Sequence, residues 1–140
     1  MLNHRDNMEY ENIKSKDNLV IYPAISIVAP HGKNIALGLK TIEVRSWIPD
    51  QLPLKNVLLI ENHRYLLEDG DEDFGQIVAM VDFDDVHEWR EDELEIACGS
   101  DWKAGYWAWT ISNVRPIQSI EKVAAKRKIY TLSFELGFEF

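Results

Sequence analysis

A short run of charged residues ending in a tryptophan contains the side chains best suited to chemistry: Lys40, Glu43, Arg45 and Trp47. From Thr41 onward, polar and apolar residues alternate as they do in a half-buried strand, so Glu43, Arg45 and Trp47 are expected on one face. A carboxylate accepts hydrogen bonds, a guanidinium binds phosphate or carboxylate, and an indole can stack on a base. This segment therefore predicts a site on one face of a strand and core on the other.

The pairing within this run decides which group is free for a ligand. Residues two apart on a strand are ~6.5–7 Å apart, so Glu43 can pair with Arg45, or instead with Lys40. Because Gly38 lets the chain turn sharply, we expect Lys40 to fold back and take the carboxylate. Arg45 would then be free to face phosphate, and Arg45→Lys should weaken ligand binding while leaving the melting temperature nearly unchanged.

Composition indicates one domain with enough apolar material for a core, since 46% of the 140 residues are hydrophobic. Residues 1–18 are polar and lack a sustained period, so we expect a flexible lead-in followed by a single domain at 19–140. There is no apolar run of 18 residues and no cationic leader, which predicts a soluble cytoplasmic protein. Cys98 is the only cysteine, so no intrachain disulfide and no cysteine metal cage can form.

The net charge of -9 is unevenly distributed, because residues 61–101 hold 15 Asp or Glu against two Lys or Arg. This acidity argues against long duplex DNA as a partner, since phosphate neutralisation dominates that affinity. A small basic cleft that takes one nucleotide remains compatible with it. The acidic run at 68–73 is interpreted as a solvated loop or, alternatively, as a docking surface for a basic partner.

Hydrophobic alternation and turn signals predict the elements that must position this site. Two or three short helices are expected, one between Pro30 and Gly38 and another at 92–97. So small a β-rich chain favours a mainly β (α+β) barrel, closed or nearly closed, which leaves few exposed strand edges. The expected five or six strands lie at 20–28, 41–47, 57–60, 75–83, 106–113 and 129–134.

The spacing Gly38-x-Lys40-x-x-Glu43-x-Arg45, followed by Ser46-Trp47, resembles the signature of the ASCH domain family, within the PUA-like superfold. The resemblance runs from about residue 24 to about 134 and includes the segments 75–79, 106–109 and 113–116. It implies a PUA-like β-barrel whose signature strand lines a cleft that receives RNA or a nucleotide. Members of the family include an amidohydrolase acting on N4-acetylcytidine and proteins with reported ribonuclease activity.

Our first hypothesis is therefore a module that binds RNA or a modified nucleoside. Lys40 and Arg45 would contact phosphate or base edges, and Glu43 would accept a hydrogen bond from an exocyclic amine, as carboxylates do from cytosine N4. We expect no cofactor, no metal and no membrane partner, and the oligomeric state is left open. The predicted ligand-binding residues are Lys40, Glu43, Arg45, Trp47, Trp109 and Asn113.

The alternative is a hydrolase acting on a nucleoside or on RNA, with Glu43 as general base and Lys40 as electrostatic stabiliser. The amidohydrolase branch has a threonine nucleophile where this chain has Glu43, and it needs a downstream Glu, for which Asp82 or Asp84 is the nearest candidate. A third hypothesis is a protein-interaction module that uses residues 61–101. The available nucleophile types near the pair are Thr41, Ser46 and Thr110.

Purely structural interpretations compete with each of these roles. Lys40 and Glu43 can form a structural ion pair, and the indoles of Trp47 and Trp109 can be core rather than stacking surfaces. A basic group near the C-terminus is interpreted as solvated unless it folds beside the cleft, where it would meet phosphates. That group consists of Lys122, Lys126, Arg127 and Lys128.

Overall fold

A computed structural model describes residues 19–135, and the predicted lead-in at 1–18 lies outside them. Within this range a 3₁₀ turn at Glu91–Glu93 accompanies one α-helix and seven strands. The chain order is β1 (Val20–Val28), α1 (His31–Ala36), β2 (Ile42–Arg45), β3 (Leu54–Asn62), β4 (Glu72–Glu88), β5 (Trp107–Pro116), β6 (Val123–Lys126) and β7 (Ile129–Phe134).

The strands form one mainly antiparallel sheet in the order β2-β5-β4-β3-β1-β7, and β6 pairs with the start of β4 outside this path. Only β1 and β3 run parallel among the described pairs, joined by the crossover that contains α1 and β2. The mainly β (α+β) class is confirmed. The sheet does not close by strand pairing between β2 and β7, and it has seven strands where five or six were expected.

Strand β3 lies at the centre of the core, because apolar side chains cover both of its faces. Val57 and Leu59 pack with Ile25, Phe83 and Trp109 on one side. The intervening Leu58 and Ile60 pack on the other side with Ala24, Ile77 and Met80. Such two-sided burial explains its continuously apolar sequence. A third cluster lies under β2 and consists of Ile42, Trp89, Ala97 and Ala108.

Two local features of these elements have physical reasons. Pro23 lies on β1 inside the sheet, where proline is usually disfavoured; pairing with β3 begins only at Ala24, so the missing N–H of Pro23 removes no β1–β3 bond. The helix predicted at 92–97 is a 3₁₀ turn followed by further turns, where buried Glu93 accepts hydrogen bonds from the Arg90 amide and the His87 ring.

Neither helical element within residues 19–135 has the length and apolar character that crossing a bilayer requires.

Candidate ligand-binding cleft

The cleft lies where β1 loses a neighbouring strand. Pairing between β1 and β7 ends at Ile25, so Ser26 and the residues after it are no longer flanked by β7. The facing residues of β2 lie across this gap without pairing to β1, and the Arg45 side chain bridges it by donating to the Ser26 carbonyl at 2.8 Å. The resulting cavity has a volume of about 510 Å³. This is within the usual range of ~300–1,000 Å³ for small-molecule sites.

Lys40, Glu43 and Arg45 form an ion cluster at the inner wall of this cavity. The Lys40 ammonium lies 3.3 Å from Glu43 Oε1 and donates to the Ala97 carbonyl. Arg45 donates to Glu43 Oε2 from Nη2 at 2.7 Å and from Nε at 3.0 Å. Both Lys40 and Glu43 are buried, so their charges are held by each other and by Arg45 rather than by water.

The local sequence explains why this ion cluster forms. Gly38 has φ +80°, which ends α1 and allows the amides of Leu39 and Lys40 to bond the Asn34 carbonyl. Lys40, three residues before Glu43, then points its side chain at the Glu43 carboxylate. The segment after the 3₁₀ turn lies on the other side of the Lys40 ammonium. The Thr41 amide anchors this segment by donating to the Ile96 carbonyl at 2.9 Å.

The predicted split of β2 into two faces holds only in part, and the predicted pairing is half wrong. Ile42 and Val44 pack in the apolar cluster under β2 and Glu43 and Arg45 line the cavity, but Val44 also borders the cavity. Lys40 does pair with Glu43, as expected. Arg45 is not released, however, because a carboxylate has two oxygens and several lone pairs, enough to bind both cations at once.

This geometry reverses the stability expectation for Arg45. Lysine cannot reproduce two hydrogen bonds from separate nitrogens to Glu43 Oε2 together with a bond to the Ser26 carbonyl. We expect Arg45→Lys to lower the free energy of unfolding by about 1–3 kcal/mol, as for hydrogen bonds between charged groups. Urea denaturation measures this. Lys103→Arg, the reverse exchange at an exposed lysine, is the control and should change stability by less than ~0.5 kcal/mol. Equal stability of Arg45→Lys and wild type would show that the bridge contributes nothing.

Glu43 stays ionised in the folded protein. Burial by itself would raise the pKa of Glu43, but the charges of Arg45 and Lys40 and their hydrogen bonds outweigh burial and hold the pKa below its usual 4.5. The carboxylate therefore acts as a fixed acceptor. His31 also lines the cavity, and burial together with the Lys40 charge lowers the pKa of His31, which keeps its imidazole neutral at neutral pH.

The lowered pKa of Glu43 predicts a specific loss of stability in acid. A carboxyl whose pKa is lower in the folded protein contributes stability above its unfolded-state pKa and loses it as pH falls through the folded-state value. We expect the free energy of unfolding to fall as pH drops below about 4.5, and to fall less steeply in Glu43→Gln. Urea denaturation across that range measures both slopes. Identical slopes would mean that Glu43 does not titrate with folding.

The structure brings four of the six predicted ligand-binding residues to the cavity and places two elsewhere. Lys40, Glu43, Arg45 and Trp47 line it. Trp109 is fully buried behind Trp47, with their rings 4.9 Å apart and perpendicular, so it supports the wall without facing a ligand.

Asn113 lies in a separate polar network, where its side-chain amide donates to Asp82 at 3.2 Å. Its φ of +51° interrupts the regular strand geometry of β5 at this residue. Asp82, considered as a downstream catalytic carboxylate, also accepts from Arg115 at 2.8 Å and does not line the cleft. Of the candidate nucleophiles, Ser46 lines the cleft, whereas Thr41 and Thr110 do not.

Sequence reasoning missed several lining residues, chiefly His31, Arg64, Tyr65 and Tyr106. Arg64 and Tyr65 follow the polar end of β3, and that polarity was the available signal. Of the basic group near the C-terminus, Lys126, Arg127 and Lys128 do fold beside the cleft, and Lys122 does not. No cluster of three or more His, Cys, Asp or Glu within residues 19–135 could hold a metal ion.

The ASCH domain family model matches residues 25–123 of this chain. The chain belongs to the ASCH domain family. That match contains α1, the signature strand β2 and the three central strands β3, β4 and β5. The resemblance found in the spacing of Gly38, Lys40, Glu43 and Arg45 is thus confirmed.

Solved structures of an ASCH protein from Zymomonas mobilis are similar to this ASCH domain. The unaltered protein is 17% identical, with 69% of this chain and 71% of that chain covered and a TM-score of 0.46. Two single-residue variants of it are each 14% identical with TM-scores of 0.42, covering 69% of this chain and 73% or 71% of theirs. No curated protein matches the sequence significantly.

Proposed function

We propose that this ASCH domain binds RNA or a modified nucleoside in the cleft between β1 and β2. The observation that carries the proposal is charge placement. Although the chain has a net charge of -9, the residues lining the cleft include six Lys or Arg and a single carboxylate. A positive concavity on an acidic protein concentrates and orients anionic ligands. The six cations are Lys40, Arg45, Arg64, Lys126, Arg127 and Lys128.

The inner wall suits the uncharged, hydrogen-bonding part of such a ligand. Glu43 is an ionised acceptor, and a base amine such as cytosine N4 is a donor that carboxylates recognise. The half-buried Trp47 supplies an apolar wall next to it. The aromatic side chains exposed at the cleft are Tyr65 and Tyr106, and they replace Trp109 as the surfaces on which a base would stack.

Binding is favoured over hydrolysis by the state of Glu43. A general base needs a pKa near the working pH. The pKa of Glu43 is instead lowered, because Arg45 and Lys40 contact its oxygens and stabilise the ionised, weakly basic carboxylate. Catalysis by the Lys40–Glu43 pair is therefore the weaker proposal.

The protein-interaction hypothesis is also weaker, because residues 61–101 do not form a single docking surface. This region includes Asp82, which is buried, and Arg64, which lines the cleft.

Replacement of an exposed cleft aromatic tests the binding proposal. Tyr106→Ala should weaken binding of a short oligocytidylate about 5- to 150-fold, because stacking on one base contributes ~1–3 kcal/mol. Isothermal calorimetry with cytidine, N4-acetylcytidine and the oligonucleotide gives the affinities. Phe74→Ala, an exposed aromatic outside the cleft, is the matched control and should bind like wild type. Failure of wild type to bind any of the three ligands would refute the proposal.

A further inference from the structure

The six cations of the cleft differ in how their charge is compensated. Lys40 and Arg45 are both bound to Glu43, so the inner wall already satisfies its cations with a buried carboxylate. A phosphate placed there would have to compete with a buried ion cluster and would repel Glu43. An anionic group of a ligand is therefore better accommodated at the mouth of the cleft, away from that carboxylate.

The mouth of the cleft carries the other four cations, which we call the basic rim: Arg64, Lys126, Arg127 and Lys128. The last three connect β6 to β7, and their position is held by Ser26, whose Oγ accepts from the Lys126 amide at 3.0 Å. The Lys128 ammonium lies 5.8 Å from the centre of the Trp47 ring, which places a rim charge beside the apolar wall of the cleft. The rim is thus built into the same site as the inner wall.

An acidic segment of the same chain, residues 68–73, lies against this rim. Carboxylates from the segment form one ion pair with each of three rim cations, and a second cavity of about 340 Å³ lies between the segment and Lys126–Lys128. Asp69 is 97% exposed, so it reaches Arg127 from the solvent side. The three ion pairs are Asp69–Arg127 at 2.6 Å, Glu72–Lys126 at 3.8 Å and Asp73–Arg64 at 3.8 Å.

We propose that the basic rim is a phosphate subsite and that the acidic segment occupies it in the free protein as an internal competitor. The inference rests on the proposed function, and it adds that the ligand is a phosphate-bearing ribonucleoside whose base points inward. Ion pairs between exposed groups are weak and are screened by salt, so a phosphate can displace Asp69 and Glu72 from Arg127 and Lys126. The carboxylates lower the affinity of the free site without blocking it.

Neutralising the competitor should therefore strengthen binding of phosphate-bearing ligands alone. We expect Asp69→Asn/Glu72→Gln to bind cytidine 5′-monophosphate or a short oligocytidylate about three- to tenfold more tightly than wild type, and cytidine equally well. The oligonucleotide should also show a steeper salt dependence, by up to about 0.7 in log–log slope for each cation released to a phosphate. Comparing the two phosphate-bearing probes distinguishes a terminal phosphate from a backbone phosphodiester.

Two controls make the test specific. Asp50→Asn/Glu88→Gln removes two exposed carboxylates that line neither cavity, and it should leave all affinities unchanged. In an Arg127→Gln background, Asp69→Asn should no longer improve binding, because its cationic partner is gone. If the gain in affinity appears equally in the Asp50→Asn/Glu88→Gln control, or persists without Arg127, the gain comes from the change in net charge. Either result would overturn the proposal.

The outcomes separate this proposal from the one on which it rests. If neither cytidine 5′-monophosphate nor the oligocytidylate binds wild type more tightly than cytidine does, the cleft binds nucleosides and the phosphate subsite is refuted. If none of the three probes binds wild type or the Asp69→Asn/Glu72→Gln variant, both proposals fall together. Tighter binding of either phosphate-bearing probe, with the gain abolished by Arg127→Gln, supports the subsite.

Discussion

Replacing Glu43 with alanine should lower the free energy of unfolding by about 3–5 kcal/mol, the usual cost of removing one partner of a buried ion pair. The Lys40 ammonium, with only 4% of its side chain exposed, would keep the Ala97 carbonyl but lose its counter-charge. Arg45 would lose two of its three hydrogen bonds. Urea denaturation at neutral pH, followed by tryptophan fluorescence, measures the change.

A matched control separates loss of this ion cluster from loss of any carboxylate. Glu88→Ala removes an exposed glutamate and should change stability by no more than ~0.5 kcal/mol. If Glu43→Ala is as stable as Glu88→Ala, the charges at the inner wall are solvated and the description of the cleft is wrong. Binding by Glu43→Ala should be measured where the variant remains folded, since unfolding alone would abolish it.

Replacing Trp109 with alanine should have an effect of similar size, about 3–5 kcal/mol, because it opens a cavity in the core. Trp109 is fully buried and packs edge-on against Trp47 at 4.9 Å and Phe83 at 5.2 Å. Its indole N–H also donates to the Trp47 carbonyl at 3.2 Å. Calorimetric or urea unfolding gives the loss. A domain of this kind has only ~5–15 kcal/mol in total, so the variant would be close to unfolding.

Trp109→Phe and Trp107→Ala are the informative comparisons. The phenylalanine variant keeps an aromatic ring but lacks the N–H donor, and it should lose distinctly less stability than the alanine variant. Trp107 is only partly buried on the same strand, so its replacement should also cost less. If Trp109→Ala costs no more than Trp107→Ala, then Trp109 is not the support for the cleft wall that the packing indicates.

The fold class was predictable because most strands of the sheet are marked in the sequence by local patterns of apolar and polar residues. The apolar residues of Val20–Val28 and Ile129–Phe134 predicted both strands with their observed bounds. Strand β6 was missed because Val123–Lys126 has small apolar residues between charged ones, a pattern typical of a solvated segment. Its buried Ala125 becomes core only through pairing with β4, a contact that no local pattern in the sequence indicates.

The same reasoning explains which site residues were found. Lys40, Glu43, Arg45 and Trp47 lie within eight residues of one another, and alternation along the predicted strand placed the last three on one face, so local sequence was enough to group them. Three of the four rim cations lie some eighty residues away, at the β6–β7 connection, and meet the cleft only because β7 pairs with β1 and begins opposite Ile25, next to Ser26. The binding of both Lys40 and Arg45 by one carboxylate depends on distances between side-chain tips, which spacing along a strand does not determine.

Amide chemical-shift mapping of the wild-type domain with a short oligocytidylate is the most direct test of nucleic-acid binding in the cleft. We expect the largest changes at residues of the cleft and its rim, notably Arg45, Trp47, Arg64, Tyr106 and Lys128, and a weaker response as salt is raised. Residues around the Asp82–Arg115 ion pair, outside the cleft, should not respond. Shifts centred on that ion pair, or no shifts at millimolar ligand, would contradict the assignment of this cleft.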